Sequence, residues 1–202
     1  MSGESWRRRV RALLARAGHK NADPERFATA FVHESAVREG LADRSNERLE
    51  FVGDAVLGLV AARWLYQTYP DADEGELALR KSALVSDAAL AESAERLGFA
   101  ELTLLGTGLA RLPEARRRST LGDAFEAFCA ALFQVAGLEA VERFIVREHI
   151  GPRLETMQSL GDPKSLLQEW SQKHYAAPPT YTERSEGPPH ERVFHATVAV
   201  QS

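Results

Sequence analysis

The stretch Asn46-Glu47-Arg48-Leu49-Glu50-Phe51-Val52-Gly53-Asp54-Ala55-Val56-Leu57 sets three acidic residues into an otherwise largely apolar run. Ser45 or Asn46 can cap it, and no proline follows before Pro70, so it reads as a helix from Glu47 to roughly Tyr69. Glu47, Glu50 and Asp54 stand at i, i+3 and i+7 and share one face. Leu49, Phe51, Val52, Ala55, Val56, Leu57, Leu59 and Val60 make this a helix expected to be mostly buried. Two carboxylates four residues apart repel by about 0.2–0.5 kcal/mol on an exposed helix, and burial makes the cost larger because desolvation disfavours each charge. The usual remedy is a Lys or Arg three or four positions away, and neither Glu50 nor Asp54 has one.

Asp123 and Glu126 repeat the pattern. They sit at i, i+3 in the apolar run Leu121 to Phe133, again with no cation at helical spacing. Two apolar helices thus each carry an acidic pair that nothing local neutralises. If the two helices face each other, four carboxylates converge, and a hard divalent cation is the natural partner for such oxygens. The other reading is that distant arginines, such as Arg48 or Arg80, pair with them across the fold. All-oxygen ligation favours Mg²⁺ or Mn²⁺ over zinc, since no Cys or His cluster has zinc spacing. Magnesium held by carboxylates commonly serves phosphate esters, so the residues by themselves lead to metal-dependent phosphoester chemistry.

The rest of the chain bounds that reading. At 202 residues, 44% hydrophobic and 27% charged, it can build one domain of ordinary size and a smaller second one. Collagen-like and disordered classes are excluded by this balance. No apolar run approaches about 18 residues, so no membrane span is expected. Arg7, Arg8 and Arg9 are not followed by an apolar stretch of signal-peptide type. A single cysteine, Cys129, allows no intramolecular disulfide and reads as a packing residue. The expected compartment is the cytoplasm. A net charge of −4 argues mildly against nucleic-acid binding, although carboxylates gathered around a metal would lower the net charge without repelling a substrate.

Apolar periodicity predicts helices at Trp6–Ala17, Glu25–His33, Gly75–Leu97, from Ser119 or Thr120 through Val135, and from Leu138 to about Gln158. A Gly- and Arg-rich loop is expected from Gly106 to Arg118. After Gly161 the pattern changes. Lys164 to about His174 reads as a helix, and two strands follow, Tyr181 to about Ser185 and Val193 to Val200. The turn between them contains Gly187-Pro188-Pro189-His190. The fold class is therefore an all-α domain followed by a partial α/β (α-β-β) domain.

The run from Asn46 to Leu57 resembles the signature of the ribonuclease III family. His33-Glu34-Ser35 upstream, Gly75-Glu76-Leu77 after it, and Leu121-Gly122-Asp123-Ala124-Phe125-Glu126-Ala127 later agree in order and spacing. From Asp162 onward the chain is similar to the double-stranded RNA-binding domain of bacterial members. The resemblance implies a catalytic domain over 1–156, a linker over 157–161 and an RNA-binding domain over 162–202. It implies that Glu50, Asp54, Asp123 and Glu126 hold the catalytic Mg²⁺, with Mn²⁺ able to substitute and no small-molecule cofactor. Asp54 and Glu126 would be central to catalysis, and Glu47 and Glu76 would be supporting acids. A homodimer is implied, each subunit cutting one strand of double-stranded RNA to leave a 5′-phosphate and a 3′-hydroxyl with short 3′ overhangs. Such an enzyme would serve rRNA and mRNA precursor processing and RNA turnover. Phe51 matches an aromatic that inserts into the partner subunit, and the other reading of it is a core phenylalanine. His33 and Ser35 would serve the fold and not act as a catalytic base.

In the second domain, A-form RNA is read by shape across its shallow minor groove and flanking phosphates. Gln168 and Glu169 match residues that reach 2′-hydroxyls, and His190 lies in the loop that enters the next minor groove. A solvated helix face and a plain hairpin turn are the other readings. Trp170, Tyr181 and Phe194 read as core. The similarity stops after the second strand, so the domain is expected to lack a third strand and a second helix. In the 106–118 loop, Leu109 stands about where many members carry a glutamate. Arg116-Arg117-Arg118 reads either as a phosphate contact or as a solvated charge cluster. Two other functions fit parts of the pattern. A non-catalytic RNA-binding relative would have no chemical reason to keep the acids, and an enzyme of small phosphorylated molecules would have no use for Gln168 and His190.

Overall fold

The computed structural model of the chain describes residues 3–111, 113–154, 167, 170–172, 174–186 and 193–200. The chain divides into two compact units, Met1–Glu155 and Thr156–Ser202. The described part of the first unit is helical throughout: α1 (Gly3–Arg16), a 3₁₀ segment (Pro24–Phe31), α2 (Glu34–Arg38), α3 (Glu47–Thr68), α4 (Glu74–Leu84), α5 (Asp87–Arg96), α6 (Thr107–Ala110), α7 (Glu114–Ala136) and α8 (Leu138–Ile145). Polar side chains start many of these elements by satisfying free backbone N–H groups. Asp23 accepts from Glu25 N at 3.1 Å, and Asp73 accepts from Glu76 N at 2.8 Å.

Three boundaries differ from the sequence pattern. The segment read as one helix from Gly75 to Leu97 is two, because Ser86 adopts an extended backbone and its hydroxyl accepts from Ala89 N, restarting the helix as α5. The expected loop to Arg118 is shorter, because α6 forms within it and α7 begins at Glu114 behind the extended Pro113. The last helical stretch passes from α8 into a π turn, Val146–Ile150, and a 3₁₀ turn, Gly151–Arg153.

Helix α7 is the axis of the core. Leu121, Ala124, Phe125, Ala127, Phe128, Cys129, Ala130, Ala131 and Leu132 are all buried along it. Around it, Phe128 meets Phe27, Phe31, Phe99 and Phe144 at ring-centroid distances of 5.4, 5.9, 5.6 and 5.3 Å. Each such buried ring contributes roughly 1.5–3 kcal/mol through the apolar area it removes from water. Below this cluster His149 is buried, its Nδ1 paired with Ser93 Oγ at 2.9 Å and its Nε2 with the Leu84 carbonyl at 2.8 Å. Burial, helped by the neighbouring Arg153 charge, pushes its pKa down to about 4.

Helix α3 is not mostly buried. Val56, Leu57, Val60, Ala61 and Leu65 face α7 and its neighbours, but Phe51, Ala55, Leu59, Ala62 and Tyr66 form an exposed stripe at helical spacing. Phe51 is 81% exposed, so the core reading of this residue does not hold.

In the second unit, residues 170–172 and 174–175 are helical, and β1 (Thr180–Glu186) pairs antiparallel with β2 (Val193–Ala199), with Thr180 opposite Ala199 and Glu186 opposite Val193. Trp170 and Tyr181 were expected in the core, but they are 45% and 36% exposed. A two-stranded sheet offers too little area to enclose such rings. Trp170 instead stacks on His174 at 4.8 Å. Gln168, Glu169 and His190 lie outside the described residues, as do the side chains of Phe194, Arg116 and Arg117.

Candidate metal centre

The site forms where α3 crosses α7, and one glycine permits the crossing. A Cβ built on Gly53 would stand 2.0 Å from the Glu126 carbonyl oxygen, so the two backbones touch there and no larger residue fits. Glu50 and Asp54 flank Gly53 on α3, and Asp123 and Glu126 lie at the same crossing on α7. A second small residue adds a third helix. The Cβ direction of Gly122 points at Leu90 Cβ and the Asp87 carbonyl, 3.5 and 3.6 Å away, which seats the first turn of α5 beside Asp123.

These carboxylates feel one another. Burial, with the charges of Asp54, Glu50, Asp123 and Asp87, pushes Glu126 up to about 8. Burial also raises Glu50, with Asp123 and Glu47 adding to the effect. Asp123 is raised by burial as well, His33 opposes the rise and Asp87 reinforces it. Among the described residues, none of Glu50, Asp54, Asp123 and Glu126 has a Lys or Arg within ion-pair distance. The arginine reading therefore fails for Arg80, whose guanidinium binds Glu76 at 2.6 and 3.0 Å and lies 4.2 Å over the Tyr69 ring.

The donor set is all oxygen, anionic and uncompensated, which is the chemistry a hard divalent cation satisfies. Among the described residues, no three His, Cys, Asp or Glu side chains already form a group that could hold a metal ion as they stand. Like charges with no cation between them repel.

The other expected site residues are placed as follows. Glu47 accepts from Ser45 Oγ at 2.6 Å and borders Glu50. Glu76 is paired with Arg80 at 2.6 Å. Arg118, the described member of the arginine run, makes a two-point pair with Glu95 at 2.8 and 3.1 Å. Asp87 escaped the sequence reading because its link to Asp123 runs between helices and leaves no spacing signal. Its only local cue is its place after the Ser86 cap.

Known proteins resemble this chain in both of its units. A family model described as Ribonuclease-III-like matches residues 23–153, and one described as a double-stranded RNA binding motif matches residues 163–201. Ribonuclease 3 of Rhodopseudomonas palustris is 40% identical over 188 residues, which are 93% of this chain and 69% of that protein. Ribonuclease 3 of Leptospira interrogans is 40% identical over 201 residues, covering 96% of this chain and 80% of that protein. Among solved structures, the nuclease domain of Campylobacter jejuni ribonuclease III superposes with a TM-score of 0.63 at 27% identity, over 75% of this chain and 97% of that one. A second structure of that domain, described for flexibility in its dimer-forming region, gives 0.62 at 29% identity, over 69% and 94%.

Proposed function

Because the chain belongs to the ribonuclease III family, as an endoribonuclease with a double-stranded RNA-binding motif, we propose that it hydrolyses double-stranded RNA at the α3–α7 crossing with Mg²⁺ as cofactor. The observation that carries this reading is the set of four carboxylates with no cation of their own, one of them raised to about 8. Glu50, Asp54, Asp123 and Glu126 are the residues that would hold Mg²⁺, or Mn²⁺ in its place. A divalent ion bound there supplies activation of water and stabilisation of the charge that develops on the phosphate. The water oxygen bonds to phosphorus as the bond to the 3′ oxygen breaks, and that oxygen takes a proton. One fragment then ends in a 3′-hydroxyl and the other in a 5′-phosphate.

Glu47, at the rim, organises Glu50, and Glu76 contributes through its pair with Arg80. The exposed stripe of Phe51, Leu59 and Tyr66 supports the homodimer reading, because burying it against a second copy removes large apolar side chains from water. Two such subunits would cut the two strands with a stagger. We assign the nuclease domain to 1–156 and the RNA-binding domain to 162–202, joined through 157–161, with Gln168, Glu169 and His190 as RNA contacts. A role in rRNA and mRNA processing in the cytoplasm follows from the same reading. Among the described residues, no helix is long and apolar enough to cross a membrane.

The test is incubation of the chain with an end-labelled RNA duplex of several helical turns at low salt, with Mg²⁺, with Ca²⁺ and with chelator. Mg²⁺-dependent cuts bearing 5′-phosphates are expected. Cleavage in chelator, or products ending in 3′-phosphate, would overturn the mechanism.

A further inference from the structure

Helix α1 divides sharply into two sides. Its inner side, Val10, Leu13 and Leu14, is buried, and Trp6 meets the Phe31 ring edge-on at 6.2 Å. Its outer side carries Arg8, Arg9, Arg11 and Arg16 around two small exposed residues, Ala12 and Ala15. Glu4 is the only acid in the helix. Arg7 is taken by Glu25 at 2.6 Å, but among the described residues Arg8, Arg9 and Arg11 form no ion pair or hydrogen bond. Composition does not account for this face, since the chain has 29 acidic residues against 25 basic ones.

At the C-terminal end of α1 the excess grows. Arg16 and Arg147 bind the buried Glu148 carboxylate at 2.5 and 2.8 Å, and Arg96 lies 3.8 Å from it. Three guanidiniums share one carboxylate, so two positive charges stay uncancelled. Arg147 is braced by donating to the Arg16 carbonyl, and Arg96 by donating to the Glu148 carbonyl. Arg16 and Arg147 are still half exposed, and a guanidinium has five N–H donors to offer. Arg9 stands two turns before Arg16, so the free arginines and this cluster form one track, about 12 Å long from Arg8 to Arg16. Neighbouring guanidiniums repel, and an anion set between them relieves the repulsion.

The character of the face selects the anion. The apolar side of α1 is taken up by the core, so the helix has nothing to insert into a bilayer. The outer side offers no large apolar residue, which the centre of a protein–protein interface requires. A phosphate backbone requires forked cations and room for close approach, and the two alanines leave that room. We propose that the outer face of α1, from Arg8 to the Arg16–Arg147 cluster, binds phosphates of the RNA duplex, as a contact surface built from none of the residues of the acidic site. The inference rests on the reading of double-stranded RNA as the substrate.

The test is the salt dependence of duplex binding by the whole chain, followed by fluorescence anisotropy with Ca²⁺ in place of Mg²⁺, between about 50 and 200 mM salt. Two triple variants are compared with the parent, one with Arg8, Arg9 and Arg11 changed to Ala and one with the same three changed to Lys. The Ala variant should keep its melting temperature, bind the duplex about tenfold or more weakly near 0.1 M salt, and lose about 3 from the slope of log affinity against log salt, about 1 for each contact removed. The Lys variant keeps the charges and should stay within about threefold of the parent. If the parent binds the duplex and the Ala variant matches it in affinity and slope, the α1 surface is refuted and the substrate reading stands. If the parent does not bind the duplex, the substrate reading fails and the inference falls with it. If the Ala variant keeps duplex binding but loses binding to phosphatidylserine-containing vesicles that the parent binds, the face serves a membrane and the RNA assignment is refuted. Should the Ala variant not fold, Arg8→Ala alone decides, and an unchanged slope refutes the proposal.

Discussion

Replacing Glu126 by Gln should stabilise the metal-free protein at alkaline pH. The Glu126 carboxyl titrates near 4.5 in a solvated chain and is pushed up to about 8 in the fold by burial and four neighbouring acids. Between those values the folded state binds the extra proton. The stability this group contributes is therefore complete below about 4.5 and is lost as pH rises through about 8. The full shift corresponds to about 5 kcal/mol. Solvent reaches the open side of the cluster and screens part of it, so about 2 kcal/mol is the expected net effect. Glutamine has the shape of the protonated acid and does not ionise. In chelator at pH 8.5, Glu126→Gln should therefore melt about 6 °C above the parent, and the two should converge near pH 4. Mg²⁺ should raise the melting temperature of the parent at pH 8.5 and leave the variant much less affected. Scanning calorimetry over pH, with and without Mg²⁺, measures both. A variant that melts at or below the parent at pH 8.5 in chelator would refute the claim that these charges strain one another.

Gly53→Ala should cost about 3 kcal/mol or more, because its methyl would enter the α7 backbone, whereas Gly58→Ala, which meets only the Lys81 side chain at 3.7 Å, should stabilise α3 by about 0.5–1 kcal/mol in urea unfolding. If the proposed homodimer forms through the exposed stripe, Phe51→Asp should sediment as a monomer where the parent sediments as a dimer, with no lower unfolding midpoint, since the ring is exposed and contributes little to its own core. His149 titrates near 4 in the fold against 6.5 outside it, so its contribution is complete above 6.5 and lost as pH falls through 4. His149→Gln should flatten the stability profile by about 3 kcal/mol across that window, read by urea unfolding at pH 7 and pH 4.5.

Much of the site was legible because helical spacing is a local property. Glu50 with Asp54, and Asp123 with Glu126, could be placed on common faces by counting residues, and the absence of a cation at i±3 or i±4 carried the charge argument. What spacing could not show is which faces of α3 are covered, because burial depends on partners. Leu59, and Phe51 in one of its two readings, belong to the buried run in sequence, yet both lie with Tyr66 on the surface of the single chain. Asp87 was missed for the same reason, being joined to Asp123 only through the packing of Gly122 against α5. The break between α4 and α5 was concealed by good helix formers on both sides, and only the hydroxyl of Ser86 marks it. In the second unit, alternation identified both strands but overstated the burial of Trp170 and Tyr181.

Cleavage of a long, end-labelled RNA duplex by Glu126→Gln under Mg²⁺, beside the parent and with duplex binding measured on the same samples, tests the assignment of the acids most directly. The predicted result is that the variant binds the duplex as the parent does and fails to cut it, while the parent leaves 5′-phosphate ends only when Mg²⁺ is present. Cutting by Glu126→Gln at the parental rate would contradict the assignment of this carboxylate to the catalytic metal.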